Sequence, residues 1–309
     1  MAAARKKKKR RSQAPVALVY FVTVLVFMGL LAALSVYLLK EFNIIDDGSS
    51  EDNAVVSNPV FTNLYARVNS KGQLQDATIV RIDPDKQKIL VIPIPAVTTG
   101  SIDKSMTLRD VLADGGMTKL KEEVEDLFGV TVDNYMSVTN DAFERVADIF
   151  DGIIYTPKEE LYYLSKDNDS NDISISKGEL ANLSGRQIRL ICQYPVFSNG
   201  MQGNTDFLGE AVSGMINHAF QQSAVIMDNL DNIYDILTAN SDTDLTSDDF
   251  KLQKSYLKEM LTSGSTPAEY ICPEGTWWDS DEAFELSSEF KAELRDGTAE
   301  ETTAEDSAE

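Results

Sequence analysis

The chain holds a single histidine and two cysteines among 309 residues, which removes several common chemistries at the outset. Neither Cys192 nor Cys272 lies in a Cys-x-x-Cys or His-rich setting, so zinc and dithiol sites have no support. His218 stands beside Ile216 and Phe220 without a nucleophile signature, and is expected to be a packed residue, not a catalytic base. Gly-x-Ser-x-Gly and the phosphate-cradling Gly-x-x-x-x-Gly-Lys loop are both absent. The 50 acids leave room for a two-carboxylate glycosidase, but nothing singles out a pair.

Acidic residues are missing from the first 40 positions, where seven of residues 5–11 are Lys or Arg. Residues 15–39 then form the one long uncharged run, 25 residues. At about 1.5 Å per residue a helix of that length spans a hydrocarbon core of roughly 30 Å. The basic flank places the N-terminus inside, predicting a single-pass protein of the cell membrane with its main domain outside the cytoplasm. A cleaved signal peptide is the alternative, although its apolar region usually runs only about 7–15 residues. The expected organisation is a basic cytoplasmic tail (1–14), a transmembrane helix (15–39), a polar linker (40–59), a folded domain (60–295) and a disordered acidic tail (296–309).

Residues 1–40 hold 8 of the 28 basic groups, so residues 41–309 set 20 against all 50 acids, a net charge of −30. Such a domain repels polyanions, and no nucleic-acid partner is expected. In an oxidising compartment Cys192 and Cys272 either close a disulfide loop or remain idle thiols, and spacing does not decide between them. The acidic stretch 167–172 lacks the glycine and terminal glutamate of a calcium loop and is expected to be an exposed loop.

In the folded part strands and helices alternate. Asp83-Pro84-Asp85 turns a hairpin between two β-branched runs, Thr78-Ile79-Val80 and Ile89-Leu90-Val91-Ile92. Thr107 to Asp110 is a capping box opening a short helix that Gly115-Gly116 ends, and residues 119–128 form a second amphipathic helix. Strands are expected at 61–69, 130–138 and 153–155, with a helix capped by Asn140 between the last two. Residues 206–239 are helical with a break near 221–223, Thr246 caps another helix, and an amphipathic helix ends the domain. The pattern predicts an α/β fold, a mixed central β-sheet flanked by helices in three layers.

Several segments, in order, resemble the LytR-CpsA-Psr family of cell-envelope proteins. They are Phe61 to Asn69, Asp76-Ala-Thr-Ile-Val80, Ile94-Pro95 with Thr98, Gly115-Gly116, Phe128-Gly-Val-Thr-Val-Asp133 with Tyr135, Phe150-Asp-Gly-Ile153, and Gly178 to Gly185. The resemblance implies a membrane-anchored enzyme that moves a glycopolymer from a polyprenyl pyrophosphate carrier to peptidoglycan, often with Mg²⁺. It also implies a long apolar cavity for the lipid, with polyprenyl phosphate as a ligand. Arginines would neutralise the pyrophosphate and carboxylates would hold the metal. By this resemblance Asp76 matches a metal-associated Asp, and its bland alternative is an Asp at a strand start.

The family's cations, however, are largely missing. Ala96 and Val97 stand where it has Arg-Asp, and Ile191 to Pro195 replaces a Tyr-x-Arg-x-Arg run. After Asp206, Gly209, Val212 and Ser213 take the places of an Arg and an Arg-Gln pair. Arg186 and Arg189, at i and i+3 on an expected helix, face one anion together or form a solvated surface; Arg81 and Arg109 are uncommitted. One lost oxyanion contact typically costs about 2.7–4 kcal/mol of transition-state stabilisation, so several losses remove most of such a reaction. The expectation is a degenerate relative that binds polyprenyl-linked ligand or envelope partners. The alternative is an active Mg-dependent transferase using Asp76, Asp206, Arg186 and Arg189. A regulator that reads DNA is third, because about 14 cytoplasmic residues are too few for such a module.

Overall fold

Strand β1 (Phe61–Val68) pairs antiparallel with β2 (Leu74–Asp83), which pairs antiparallel with β3 (Lys88–Pro95). Two further strands, β4 (Asn134–Thr139) and β9 (Ala268–Tyr270), add in parallel at the edges. The result is a five-stranded mixed sheet in the order β4-β1-β2-β3-β9. These assignments come from a computed structural model that describes residues 59–101, 103–166, 171–278 and 282–296. The expected basic tail, membrane-spanning segment and linker up to residue 58, the acidic tail from 297 on, and residues 167–170 of the acidic loop lie outside the described residues. Among the described residues no helix is long and apolar enough to cross a membrane.

Alternation along β2 sends its side chains to two different cores. Ala77 and Ile79, joined by Leu74 from beyond a bulge in the β1–β2 pairing, pack under helix α1 (Leu108–Phe128), with Leu120, Val124 and Phe128, and against Phe290 of α7 (Ser288–Asp296). Val80 and Ile82 face the opposite layer, where α4 (Met201–Gln221), α5 (Ser223–Thr238) and α6 (Ser247–Leu261) contribute Phe220, Ile226, Leu230 and Met260. Helix α2 (Asn140–Ile149) completes that layer through Ala142 and Phe143. The expected three-layer α/β arrangement is therefore the one observed. A smaller lobe holds the antiparallel pairs β5 (Ile153–Tyr155) with β8 (Ala181–Leu183), and β6 (Leu161–Tyr163) with β7 (Ile173–Ile175), together with α3 (Gly185–Ile191). A terminal hairpin, β10 (Gly275–Trp278) and β11 (Ala283–Leu286), lies over the loop after β3, with the Phe284 N–H donating to the Val97 carbonyl and the Phe284 carbonyl accepting from the Thr99 N–H.

Local signals behaved as their chemistry requires, with small shifts. Thr107 and Asp110 close the capping box, and the backbone turns out of helical geometry at Gly116 (φ 70°, ψ −167°), so α1 is two helical stretches joined at the Gly-Gly pair. The break between α4 and α5 falls at Gln222. The cap of α2 is Thr139 and not Asn140, because Thr139 is still extended and its hydroxyl takes the Ala142 N–H. Strand β4 begins at Asn134, four residues later than expected, since Val130 to Asp133 form the loop that follows the left-handed Gly129.

Candidate functional site

The antiparallel register of β1 and β2 sets Arg67 opposite Asp76 and Tyr65 opposite Thr78. All four side chains lie on the face turned toward α2, α4, α5 and α6, where they line a cavity of ≈ 270 Å³. Alternate β2 residues Asp76, Thr78, Val80 and Ile82 mark its length, about 20 Å at ~3.3 Å per residue. Beyond the polar end the walls are apolar, with Phe143 and Val146 from α2, Val212 and Ile216 from α4, and Ile233 from α5. Among the described residues the only charged groups on these walls are Arg67 and Asp76.

Those two groups bind each other. Arg67 Nε donates to Asp76 Oδ1 at 3.0 Å and its Nη2 donates to Oδ2, a bidentate pair with both residues buried. Nη1 donates to Asn140 Oδ1 at 3.0 Å, and the guanidinium lies 5.4 Å from the centre of the Phe143 ring. Burial works against the Arg67 charge, but the Asp76 carboxylate more than offsets it, so the guanidinium is held above its ordinary value. A lone arginine in an apolar strand was the available sequence signal for this residue. Its partner required the register, which a bulge between Arg67 and Val68 adjusts.

The other expected site residues lie apart. Arg189 is paired with Glu144 of α2, and Arg186 donates to Asn171 at 2.8 Å, so the two do not converge on one anion. Their i, i+3 spacing on α3 is real, but each meets a partner on a different element. Asp206 accepts from Gln202 at 2.7 Å and Asn199 at 3.4 Å and does not line the cavity that Asp76 lines. Arg109 is exposed, with its Nε on the Leu74 carbonyl at 3.0 Å, and Arg81 is half-buried on the opposite face of β2. His218 is packed between the Gly152 carbonyl (3.4 Å) and Gln222 (3.1 Å).

Positions that the resemblance would fill with charged or polar site residues, arginines among them, are held by small or apolar side chains. Ala96 and Val97 are buried, Ala96 within the core under α1. A side chain at Gly209 would meet the Tyr270 ring at 2.5 Å and Pro93 at 3.1 Å, leaving no space for an arginine there. Val212 faces the cavity, and Ser213 returns its hydroxyl to the Gly209 carbonyl at 2.8 Å. A protein-held magnesium does not fit the donors present: both Asp76 oxygens accept from Arg67, and no three His, Cys, Asp or Glu side chains converge among the described residues.

Cys192 and Cys272 are free thiols. Burial pushes Cys192 up to about 12, although Arg67 pulls the other way; burial and the neighbouring Asp206 carboxylate raise Cys272 as well. At pH 8 a thiol near 12 is only about one part in ten thousand thiolate. The native protein is therefore expected to leave Cys192 unlabelled by a disulfide-exchange reagent at pH 8, on a timescale that labels it fully in urea. Prompt labelling of Cys192 in the native state would contradict this packing.

The profile of the LytR_cpsA_psr family matches residues 66–293. TagV of Bacillus subtilis strain 168, a polyisoprenyl-teichoic acid–peptidoglycan teichoic acid transferase, is 24% identical over 237 residues, 72% of this chain and 59% of TagV. The chain thus spans less than two thirds of that relative's length. The B. subtilis TagV crystal structure superposes with a TM-score of 0.61 at 18% identity, covering 79% of this chain and 98% of that one. TagT bound to LIIa-WTA gives 0.60 at 16% identity over 82% and 94% of the two chains. A structure from Eubacterium siraeum DSM 15702 gives 0.68 at 13% identity over 82% and 98%. At such identities these structures share the fold.

Proposed function

The chain belongs to the LytR_cpsA_psr family, and from that premise we propose that it is a membrane-anchored, extracytoplasmic protein of cell-wall glycopolymer assembly that holds a polyprenyl-type lipid tail without transferring its cargo. Its relatives TagV and TagT supply the context: one is named a transferase of polyisoprenyl-linked teichoic acid to peptidoglycan, the other has been seen with LIIa-WTA. The observation that carries the reading is the apolar cavity whose only charged wall groups among the described residues neutralise each other. An apolar tail entering it gains about 25 cal/mol for each Å² removed from water. Transfer chemistry is disfavoured because a pyrophosphate needs positive charge at the reacting centre, and the residues lining the cavity offer none in surplus.

Two measurements on the full-length protein purified from membranes test this. Native mass spectrometry is expected to find one prenyl lipid per chain, lost in Val212→Trp, where an indole fills the cavity. With a polyprenyl-pyrophosphate-linked glycopolymer, peptidoglycan and Mg²⁺, no transfer above the protein-free blank is expected. Turnover that disappears in Asp76→Ala would instead make the protein an active transferase with a non-standard site.

A further inference from the structure

We infer that the cavity selects a lipid with an uncharged polar head, a long-chain alcohol, over the corresponding phosphate. This rests on the reading that the cavity holds a lipid tail, and it concerns which head that tail carries. The ion pair is the first observation. An anionic head placed beside Arg67 also lies beside Asp76, whose two oxygens already take Nε and Nη2. Seating a phosphate there leaves uncompensated negative charge among apolar walls, which is far more costly than burying a neutral hydroxyl that finds a partner. No second cation lines the cavity among the described residues: Arg189 is held by Glu144, and Arg109 is exposed outside it.

The second observation is independent of charge. Tyr65 and Thr78 are cross-strand neighbours next to the ion pair, and both line the cavity. Neither hydroxyl has a hydrogen-bond partner among the described residues; Thr78 is buried, Tyr65 is half-buried, and both face the cavity. Burial pushes the Tyr65 phenol up to about 12, so it remains a neutral donor throughout the physiological range. Two unpartnered hydroxyls side by side on a cavity wall mark where a ligand's own polar group belongs. A lipid hydroxyl both donates and accepts, so it satisfies the pair together. The apolar walls beyond, about 20 Å long, match one tail somewhat deeper than half of a ~30 Å hydrocarbon core.

The test compares geranylgeraniol with geranylgeranyl monophosphate, added to delipidated full-length protein and read by native mass spectrometry across a concentration series. The alcohol is expected to bind at least about tenfold more tightly than the phosphate. Tyr65→Phe and Thr78→Val, which keep shape and fold, should each weaken the alcohol about fivefold. Asp76→Asn, which leaves Arg67 its charge, should raise phosphate affinity by about tenfold or more. Equal or tighter binding of the phosphate by the native protein overturns the head selection while leaving the cavity as a lipid site. Alcohol binding that ignores both hydroxyl variants also overturns it. Binding of neither probe overturns the lipid-cavity reading and the head selection together.

Discussion

Asp76→Ala is expected to cost the fold about 3 kcal/mol, read as a lowered midpoint in urea followed by circular dichroism. Removing one member of a buried pair leaves the other charged and without its counter-ion, and such losses run at about 3–5 kcal/mol. Arg67 keeps Asn140 Oδ1 and the Phe143 ring after the change, which places the loss at the lower end. An arginine cannot shed its proton, so the cost should not vary between pH 5 and 8. The reverse variant, Arg67→Met, behaves differently. A carboxyl stranded in an apolar wall takes up a proton to remain in the folded state, and that option closes as pH rises, so Arg67→Met should be worse at pH 8 than at pH 5. The double variant Arg67→Met/Asp76→Leu should recover most of the stability, because two apolar side chains of similar volume carry no desolvation cost. A double variant as unstable as the sum of the singles would show that the pair is not one energetic unit.

The second large effect is expected at the junction of α2 with the smaller lobe. Gly152 has φ +65°, and a Cβ there would lie 1.9 Å from the Leu183 carbonyl oxygen, a backbone atom of the partner strand β8. Gly152→Ala must push β8 away from β5, and about 3 kcal/mol of destabilisation is expected, at the upper end for overpacking. Gly178→Ala is the control. It shares the left-handed geometry (φ +76°) but nothing lies within 4 Å, so only the conformational penalty of about 1 kcal/mol applies. Equal losses at the two positions would show that backbone strain, not the contact with Leu183, sets the cost.

Much of the molecule was written locally. The capping box at Thr107, the glycines that bend α1 and the turn at Asp83-Pro84-Asp85 each depend on groups within four residues, so the sequence identifies them directly. The succession of strand and helix signals indicated the mixed α/β plan, and the pleat of β2 then sends Ala77 and Ile79 to one layer and Val80 and Ile82 to the other. The missing cations were also legible, since no fold can supply an arginine at Ala96, Gly209 or Val212.

Pairing was not legible. Arg186 and Arg189 share a helix face by spacing, yet Arg189 is drawn to Glu144, 45 positions away, and the two never form one site. Asp206 and Asp76 belong to different surroundings because α4 crosses the sheet with Val212 and Ile216 toward the cavity and Asp206 away from it. The neutralised ion pair, the two open hydroxyls and the cavity itself depend on a strand register and on helices brought in from residues 140 to 261. Sequence periodicity states which side of an element is apolar. Only the packed tertiary structure decides where those sides fail to meet and leave a space, because that depends on distances between segments far apart in the chain.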